Sequence, residues 1–169
     1  MPRTSIQPIE TERLRLEPLA VEHAPAMGAV LSDSRLYEFT GGTAPTRAQL
    51  ESRYAAQAAG RSDDGSEWWL NWIVVDRSTG DPTGFVQATV RHDDGALVAD
   101  IAWVISTRYQ GHGIASEATR AMVDWLTGHK VARFTAHIHP DHQASSAVAR
   151  KQGLHPTDTH VDGERRWES

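Results

Sequence analysis

Cysteine is absent from all 169 residues. Its absence excludes disulfides, thiolate nucleophiles and cysteine-ligated metals. No apolar run approaches the ~20 residues of a membrane-spanning helix. Behind Met1-Pro2-Arg3-Thr4-Ser5 there is no apolar core of a secretory leader. The expectation is a cytoplasmic protein with no membrane partner. Excess positive charge is missing too: the formal net charge is −5, which argues against nucleic acid as a main partner yet tolerates a cationic substrate in one cleft. Internal repeats and low-complexity blocks are also lacking. What is present is an ordinary globular balance, 39% hydrophobic and 23% charged. The length predicts one domain over residues 1–169, large enough to bury a core without staples.

Within residues 10–19, Leu14 and Leu16 alternate with charged side chains, as in a half-buried strand that Pro18 ends or places at an edge. Residues 20–31 predict a short helix with Pro25 in its first turns. Thr46-Arg47-Ala48-Gln49 has the form of a capping box, and alanine-rich sequence follows to Ala59. Residues 68–75, 84–90 and 96–105 read as strands, with Asp93-Asp94-Gly95 as a hairpin turn. Their short connections predict an antiparallel meander. Ile114, Ala118, Ala121, Met122 and Trp125 then share one helical face, and Gly128 is placed to stop the helix. Residues 133–139 form a strand closed by Pro140. Residues 142–152 form a helix ending at Gly153, and a hairpin around Asp162-Gly163 closes the chain. The order βαα-βββ-αβ-αββ is that of a mixed α+β sheet domain.

One segment carries chemistry. The strand over 96–105 runs through Ser106-Thr107-Arg108-Tyr109-Gln110-Gly111-His112-Gly113 directly into a helix. Two glycines there permit positive φ and close approach of a ligand to bare backbone. The first amides of the helix have no internal partner, and with the helix dipole they make an anion site suited to pyrophosphate. A plain glycine turn starting a helix has the same local sequence. The segment is not a Walker loop, because Gly-Lys-Ser/Thr is lacking. A dinucleotide fingerprint fails as well, for want of a third glycine and a βαβ setting.

Arg108-x-x-Gly111-x-Gly113-x-Ala115, set between a strand and a helix, resembles the acyl-CoA pyrophosphate loop of GNAT acetyltransferases. Two further segments resemble the RimJ/RimL-like branch of that superfamily, which acetylates protein N-termini, amino acids and small amines. One is Thr11-Glu12-Arg13-Leu14-Arg15-Leu16. The other is His139-Pro140-Asp141-His142-Gln143-Ala144-Ser145 followed by Gly153-Leu154. The resemblance covers essentially the whole chain. It implies the GNAT fold, a mostly antiparallel twisted sheet of about six to seven strands with about four flanking helices. It also implies acetyl-CoA as cosubstrate, no metal, and a primary amine as acceptor, on a small molecule or a protein N-terminus. Homodimer formation, common among relatives, is compatible with it.

Residue by residue, the resemblance gives cofactor contacts to Arg108, Gln110, Gly111, His112, Gly113, Ile114, Ala115 and Ser116 in the loop and helix start. Val104 and Ile105 on the preceding strand join them, as do His142 and Ser145. The backbone amide of Val104 is expected to face the thioester carbonyl as oxyanion donor. Asp100 stands where the family often has an acidic residue that accepts the amine proton; a carboxylate on a strand can equally face solvent or pair with a cation. Ser145 matches a serine near the CoA sulfur, able to protonate the leaving thiolate, or else merely a helix-start serine. His142 replaces the usual asparagine. Many members of the family use a tyrosine acid on the fourth helix, here residues 142–152; no tyrosine lies between Val131 and Gln152, so that variant is not available.

Two patterns remain. His137-x-His139-Pro140-Asp141-His142 invites a metal reading, but zinc needs convergent ligands and ordinary hydrogen bonds account for the histidines equally well. Trp68, Trp69, Trp72 and Trp103 cluster on neighbouring strands, with Trp68 and Trp72 on one face and Trp69 on the other. They read either as core packing or as the lining of a pocket for a cationic amine. Against an active transferase stand two other classes: a silent acyl-CoA-binding module, and a nucleotide-binding domain that uses the same loop for another pyrophosphate.

Overall fold

The computed structural model describes residues 5–169; residues 1–4, on which the leader reading partly rested, lie outside them. Strand β1 (Ile9–Glu10) pairs antiparallel with β2 (Leu14–Pro18). Leu14 and Leu16 are buried while Arg15 is exposed, so the alternation in sequence is an alternation of faces. Helix α1 (Ala24–Val30) carries Pro25 in its first turn, where the missing N–H costs nothing. Helix α2 (Arg47–Ala58) opens on the expected capping box. The Gln49 N–H donates to the Thr46 hydroxyl at 3.1 Å, and the Thr46 N–H donates to the Gln49 side chain at 2.9 Å.

Strands β3 (Glu67–Asp76), β4 (Pro82–Asp93) and β5 (Ala96–Ile105) form the antiparallel meander. Asp94 (φ 49°) and Gly95 (φ 79°) make the two-residue turn between the last two, both left-handed as a type I′ hairpin requires. Helix α3 (Ile114–Gly128) then crosses one face, so that β6 (Val131–Ile138) lies parallel to β5. After α4 (Gln143–Lys151), the hairpin of β7 (His155–Val161) and β8 (Glu164–Glu168) completes the sheet. The order across it is β1-β2-β3-β4-β5-β6-β8-β7.

Two layers cover this sheet. On one face Leu14, Trp72, Val86, Ile101, Ala118, Met122 and Leu126 pack beneath α3. On the other Met27, Leu50, Tyr54 and Ile73 pack beneath α1 and α2. Trp72 and Trp167 are buried within the α3 layer, and Trp68, Trp103 and Trp125 pack against it. Core packing therefore accounts for these tryptophans. Trp69 faces the other way, and its indole N–H donates to Glu67 at 3.1 Å.

Two expectations change. Among the described residues there are eight strands rather than six or seven, because β1, two residues long, is too short to show a period. Gly128 is the last helical residue of α3 rather than a left-handed stop; His129 is the C-cap, and Lys130 takes the left-handed conformation at φ 73°. His129 explains the extra residue: its Nδ1 donates to the Trp125 carbonyl at 2.8 Å and its ring stacks on the indole at 3.8 Å.

Candidate active site

The site begins where two neighbouring strands separate. β5 and β6 are paired from Leu97↔Val131 to Asp100↔Thr135 and no further, although β5 continues to Ile105 and β6 to Ile138. β4 stays with β5 throughout, and β8 stays with β6. The result is a wedge-shaped gap with Asp100 at its vertex. Because the two strands are parallel, both run out on the same side, and each feeds a helix, α3 from β5 and α4 from β6. Two helix N-termini therefore flank the mouth of the gap, at the carboxyl ends of the strands, where sheets of this kind bind ligands.

The first of these is uncapped. Gly113, at φ 77°, is the N-cap of α3 and has no side chain to offer, and the first helical bond runs from the Glu117 N–H to the Gly113 carbonyl at 3.0 Å. The N–H groups of Ile114, Ala115 and Ser116 precede that bond and receive no side-chain cap. Gly111 is also left-handed, at φ 81°, so bare backbone lines the approach. Gln110 turns inward and its Nε2 donates to the Ile105 carbonyl at 2.9 Å, closing the loop on its own strand. Arg108 is exposed, lies over the Tyr109 ring, and makes no ion pair among the described residues. A concavity of about 630 Å³ behind the loop touches Tyr109, His112 and Ile114, but none of Asp100, His142 and Ser145 lines it.

A brace holds the loop from behind. Arg13 donates to the His112 carbonyl at 2.9 Å and to Glu117 at 2.8 Å, and Thr11 donates to Glu117 at 2.6 Å. Burial raises the Glu117 carboxyl, but the hydrogen bonds from Thr11 and Arg13 outweigh it and hold the group below the usual glutamate value. The sequence motif Thr11–Arg13 thus acts at a distance, on the loop.

At the second helix start, His142 is the N-cap of α4. Its Nδ1 accepts the Ser145 N–H at 3.3 Å, and its Nε2 lies 3.1 Å from Ser145 Oγ. An Nδ1 that accepts carries no proton, so the neutral ring bears its proton on Nε2 and donates it to the hydroxyl. Ser145 then keeps its own O–H free to donate elsewhere. Burial, with His139 nearby, pushes the His142 imidazole below the usual histidine value, which favours this neutral form. The Phe39 ring stacks on His142 with centroids 4.6 Å apart. Sequence reasoning gave no signal for Phe39, which arrives from the segment between α1 and α2.

On β5 the structure corrects one assignment. The Ser106 N–H donates to the Thr83 carbonyl at 2.8 Å, and the β4–β5 register runs without a break to Phe85↔Val104. N–H and C=O groups alternate sides along a strand, so Val104 also addresses β4. A Cβ built on Gly84 would lie 2.0 Å from the Val104 carbonyl oxygen, which places that oxygen against β4. The amide of Val104 therefore does not face the gap. Those of Trp103 and Ile105 do, and the inward Gln110–Ile105 bond agrees.

Asp100 sits at the vertex on the α1/α2 face. Thr135 donates to its Oδ1 at 2.9 Å, and His137 Nδ1 lies 3.2 Å from the same oxygen. His137, weighed above as a metal ligand or as an ordinary polar histidine, thus lies against the candidate carboxylate. His139 Nδ1 accepts the Asp141 N–H at 3.1 Å. Among the described residues no group of three or more histidine, aspartate or glutamate side chains is arranged to hold a metal ion.

The family described as the acetyltransferase (GNAT) domain matches residues 13–155. The chain belongs to the GNAT acetyltransferases. YkkB of Bacillus subtilis (strain 168) is 27% identical over 151 residues, covering 88% of this chain and 86% of the relative. Among solved structures, the ribosomal L7/L12 α-N-protein acetyltransferase RimL in complex with CoA superposes with a TM-score of 0.77 at 16% identity, over 96% of this chain and 97% of that one. The ribosomal-protein-S5-alanine acetyltransferase of Vibrio fischeri gives 0.77 at 15% identity, over 96% of each chain. The microcin C7 self-immunity acetyltransferase MccE, in complex with acetyl-CoA and AMP, gives 0.76 at 13%, over 94% of this chain and 93% of that one. These likenesses establish a shared GNAT fold.

No helix among the described residues is long and apolar enough to cross a membrane.

Proposed function

We propose that this GNAT chain transfers the acetyl group of acetyl-CoA to a primary amine by direct attack in a ternary complex. The observation that carries this reading is the gap itself, a parallel strand pair that opens between two helix starts. The amides of Ile114, Ala115 and Ser116, with those of Gly111, His112 and Gly113, suit a pyrophosphate that accepts several N–H bonds at once. Arg108 adds an unpaired cation beside them. The acyl-bearing arm then extends along the exposed backbone of β5.

The chemistry needs an oxyanion donor, a proton acceptor and a proton donor. An N–H of Trp103 or Ile105 serves as the first, replacing Val104. Ser145 serves as the last: its oxygen is held by His142 Nε2–H, and its hydroxyl hydrogen is free for the thiolate sulfur. The acid is therefore a serine supported by a neutral imidazole. The acceptor is an amine on a protein N-terminus, an amino acid or a small molecule.

Isothermal calorimetry with CoA, ATP and NAD tests the cofactor, with CoA expected to bind and the others not. Thiol release from acetyl-CoA across a panel of peptides, amino acids and small amines tests the reaction. CoA binding without thiol release for any amine would leave an acyl-CoA-binding module. Absence of CoA binding would refute the loop assignment.

A further inference from the structure

The histidine beside Asp100 is better placed for proton transfer than Asp100 is. β5 and β6 are in parallel register with Asp100 opposite Thr135, so His137, two residues on, stands level with Ala102. At about 3.3 Å per residue, that is roughly 7 Å nearer the mouth than the vertex. Trp103, whose amide faces the gap, is the next residue along β5. His137 and Asp100 share the α1/α2 face of the sheet, opposite the layer under α3. The carboxylate is already engaged, receiving Thr135 Oγ1 at 2.9 Å with His137 Nδ1 at 3.2 Å from the same oxygen. The Nδ1 contact is an ion-pair distance rather than an aligned hydrogen bond; a carboxylate that close favours the tautomer with its proton on Nδ1, which leaves Nε2 bare. The imidazole is one-third exposed, open enough for an amine to reach.

Resting on the acetyltransferase reading above, we propose that His137 Nε2 is the catalytic base that takes the amine proton, and that Asp100 is the positioning residue that fixes its ring and tautomer. The amine nitrogen's lone pair forms the C–N bond, and the carbonyl π pair moves onto oxygen, facing the Trp103 or Ile105 amide. The ammonium proton passes to His137 Nε2. Collapse restores C=O and breaks C–S; the thiolate takes its proton from Ser145 Oγ, which regains one from solvent as His137 releases to solvent the proton it took from the amine. The imidazolium that forms lies against the Asp100 carboxylate, which stabilises it. Arg166 is opposite His137 on β8 and reaches Glu168 at 3.6 Å, and His139 follows on the same strand face.

The first test needs no acceptor. Nitrogen-15 shifts of the His137 imidazole in the full chain report which nitrogen bears the proton. Wild type is expected to hold the Nδ1–H form, and Asp100→Asn to lose that preference while exposed His160 stays unchanged. Identical His137 tautomers in both proteins would overturn the pairing. The second test follows kcat against pH with the fastest amine from the panel. Wild type should rise with pH, as general-base catalysis requires. His137→Gln should fall roughly a hundredfold or more and lose that rise, with CoA affinity unchanged. Asp100→Asn should fall less and keep it. Added imidazole should restore part of the rate to His137→Ala. A His137→Gln enzyme that keeps the wild-type rise overturns the assignment. If CoA binds but no amine is acetylated, the acetyltransferase reading fails instead, and the tautomer measurement still judges the pair.

Discussion

Replacing His142 with asparagine, and separately with alanine, divides the work this side chain does. The imidazole caps α4 through Nδ1 and stacks on Phe39 at 4.6 Å. A lost N-cap costs about 0.5–2 kcal/mol, and an aromatic pair contributes about 0.5–1.5 kcal/mol. His142→Ala removes both, so it should lower stability by about 1–3.5 kcal/mol, or about 3–10 °C in Tm for a chain of this size. Asparagine caps as well as any residue and loses only the stack, so His142→Asn should cost about 0.5–1.5 kcal/mol. The pH dependence carries a further signature. The folded-state pKa of His142 lies below its unfolded value, chiefly through burial. The ring's contribution is therefore fully present above the unfolded value, near 6.5, and is lost as pH falls through the folded value. Urea unfolding at pH 8 and at pH 5 should show the gap between wild type and His142→Asn narrowing in acid. A gap of constant size would refute the neutral, Nδ1-accepting imidazole, and with it the hydrogen-bonding state assigned to Ser145.

Ser145→Ala should lower kcat by tenfold or more with CoA affinity little changed, the pattern of an interaction made in the transition state; an unchanged kcat in stopped-flow thiol assays would remove the serine. Gly113→Trp should abolish CoA binding in calorimetry while leaving a folded protein. The indole would stand where ligand must reach bare backbone, and φ 77° adds strain of about 1–2 kcal/mol. Gly84→Ala should destabilise by about 3 kcal/mol or more in denaturant titration, because its Cβ would meet the Val104 carbonyl oxygen at 2.0 Å and force β4 from β5. Near-normal stability in that variant would mean the two strands are not held as described.

Which parts of this site were legible follows from the range of each interaction. The glycine loop was legible because its chemistry is local: Gly111 and Gly113 announce left-handed backbone, and the helical period starting at Ile114 announces the free amides. The capping box at Thr46 and the Asp94–Gly95 turn belong to the same class, each being fixed within four residues. The oxyanion donor was missed by one residue, and the reason is parity. Whether Val104 or its neighbours address the gap depends on which β4 residue each one faces, and that register is set by Thr83, Gly84 and Phe85, some twenty residues away. A one-residue change in register turns every amide to the opposite side, so a motif can locate the strand yet misname the donor.

The base was obscured by another non-local fact. Asp100 and His137 lie 37 positions apart and meet only because β5 and β6 align Asp100 with Thr135 and then part company. The parting has a cause on each side. β4 keeps β5 in register as far as Ile105, while β8 draws β6 away by pairing Thr135 through Ile138 with Glu168 through Arg165. In sequence, the closing hairpin of β7 and β8 looks like a finishing element far from the chemistry. In the sheet, β8 occupies the outer edge of β6, so that β6 is satisfied on that side and has no hydrogen-bonding need to follow β5. Shortening β8 should therefore act on the gap rather than on the loop. A proline at Arg165, whose N–H addresses β6 by the alternation that the Ser169 N–H to Phe134 carbonyl bond sets, should perturb acceptor turnover and His137 before it perturbs CoA affinity. A hairpin remote in sequence is thus part of the reason that Asp100, His137 and the amides of Trp103 and Ile105 form a single site.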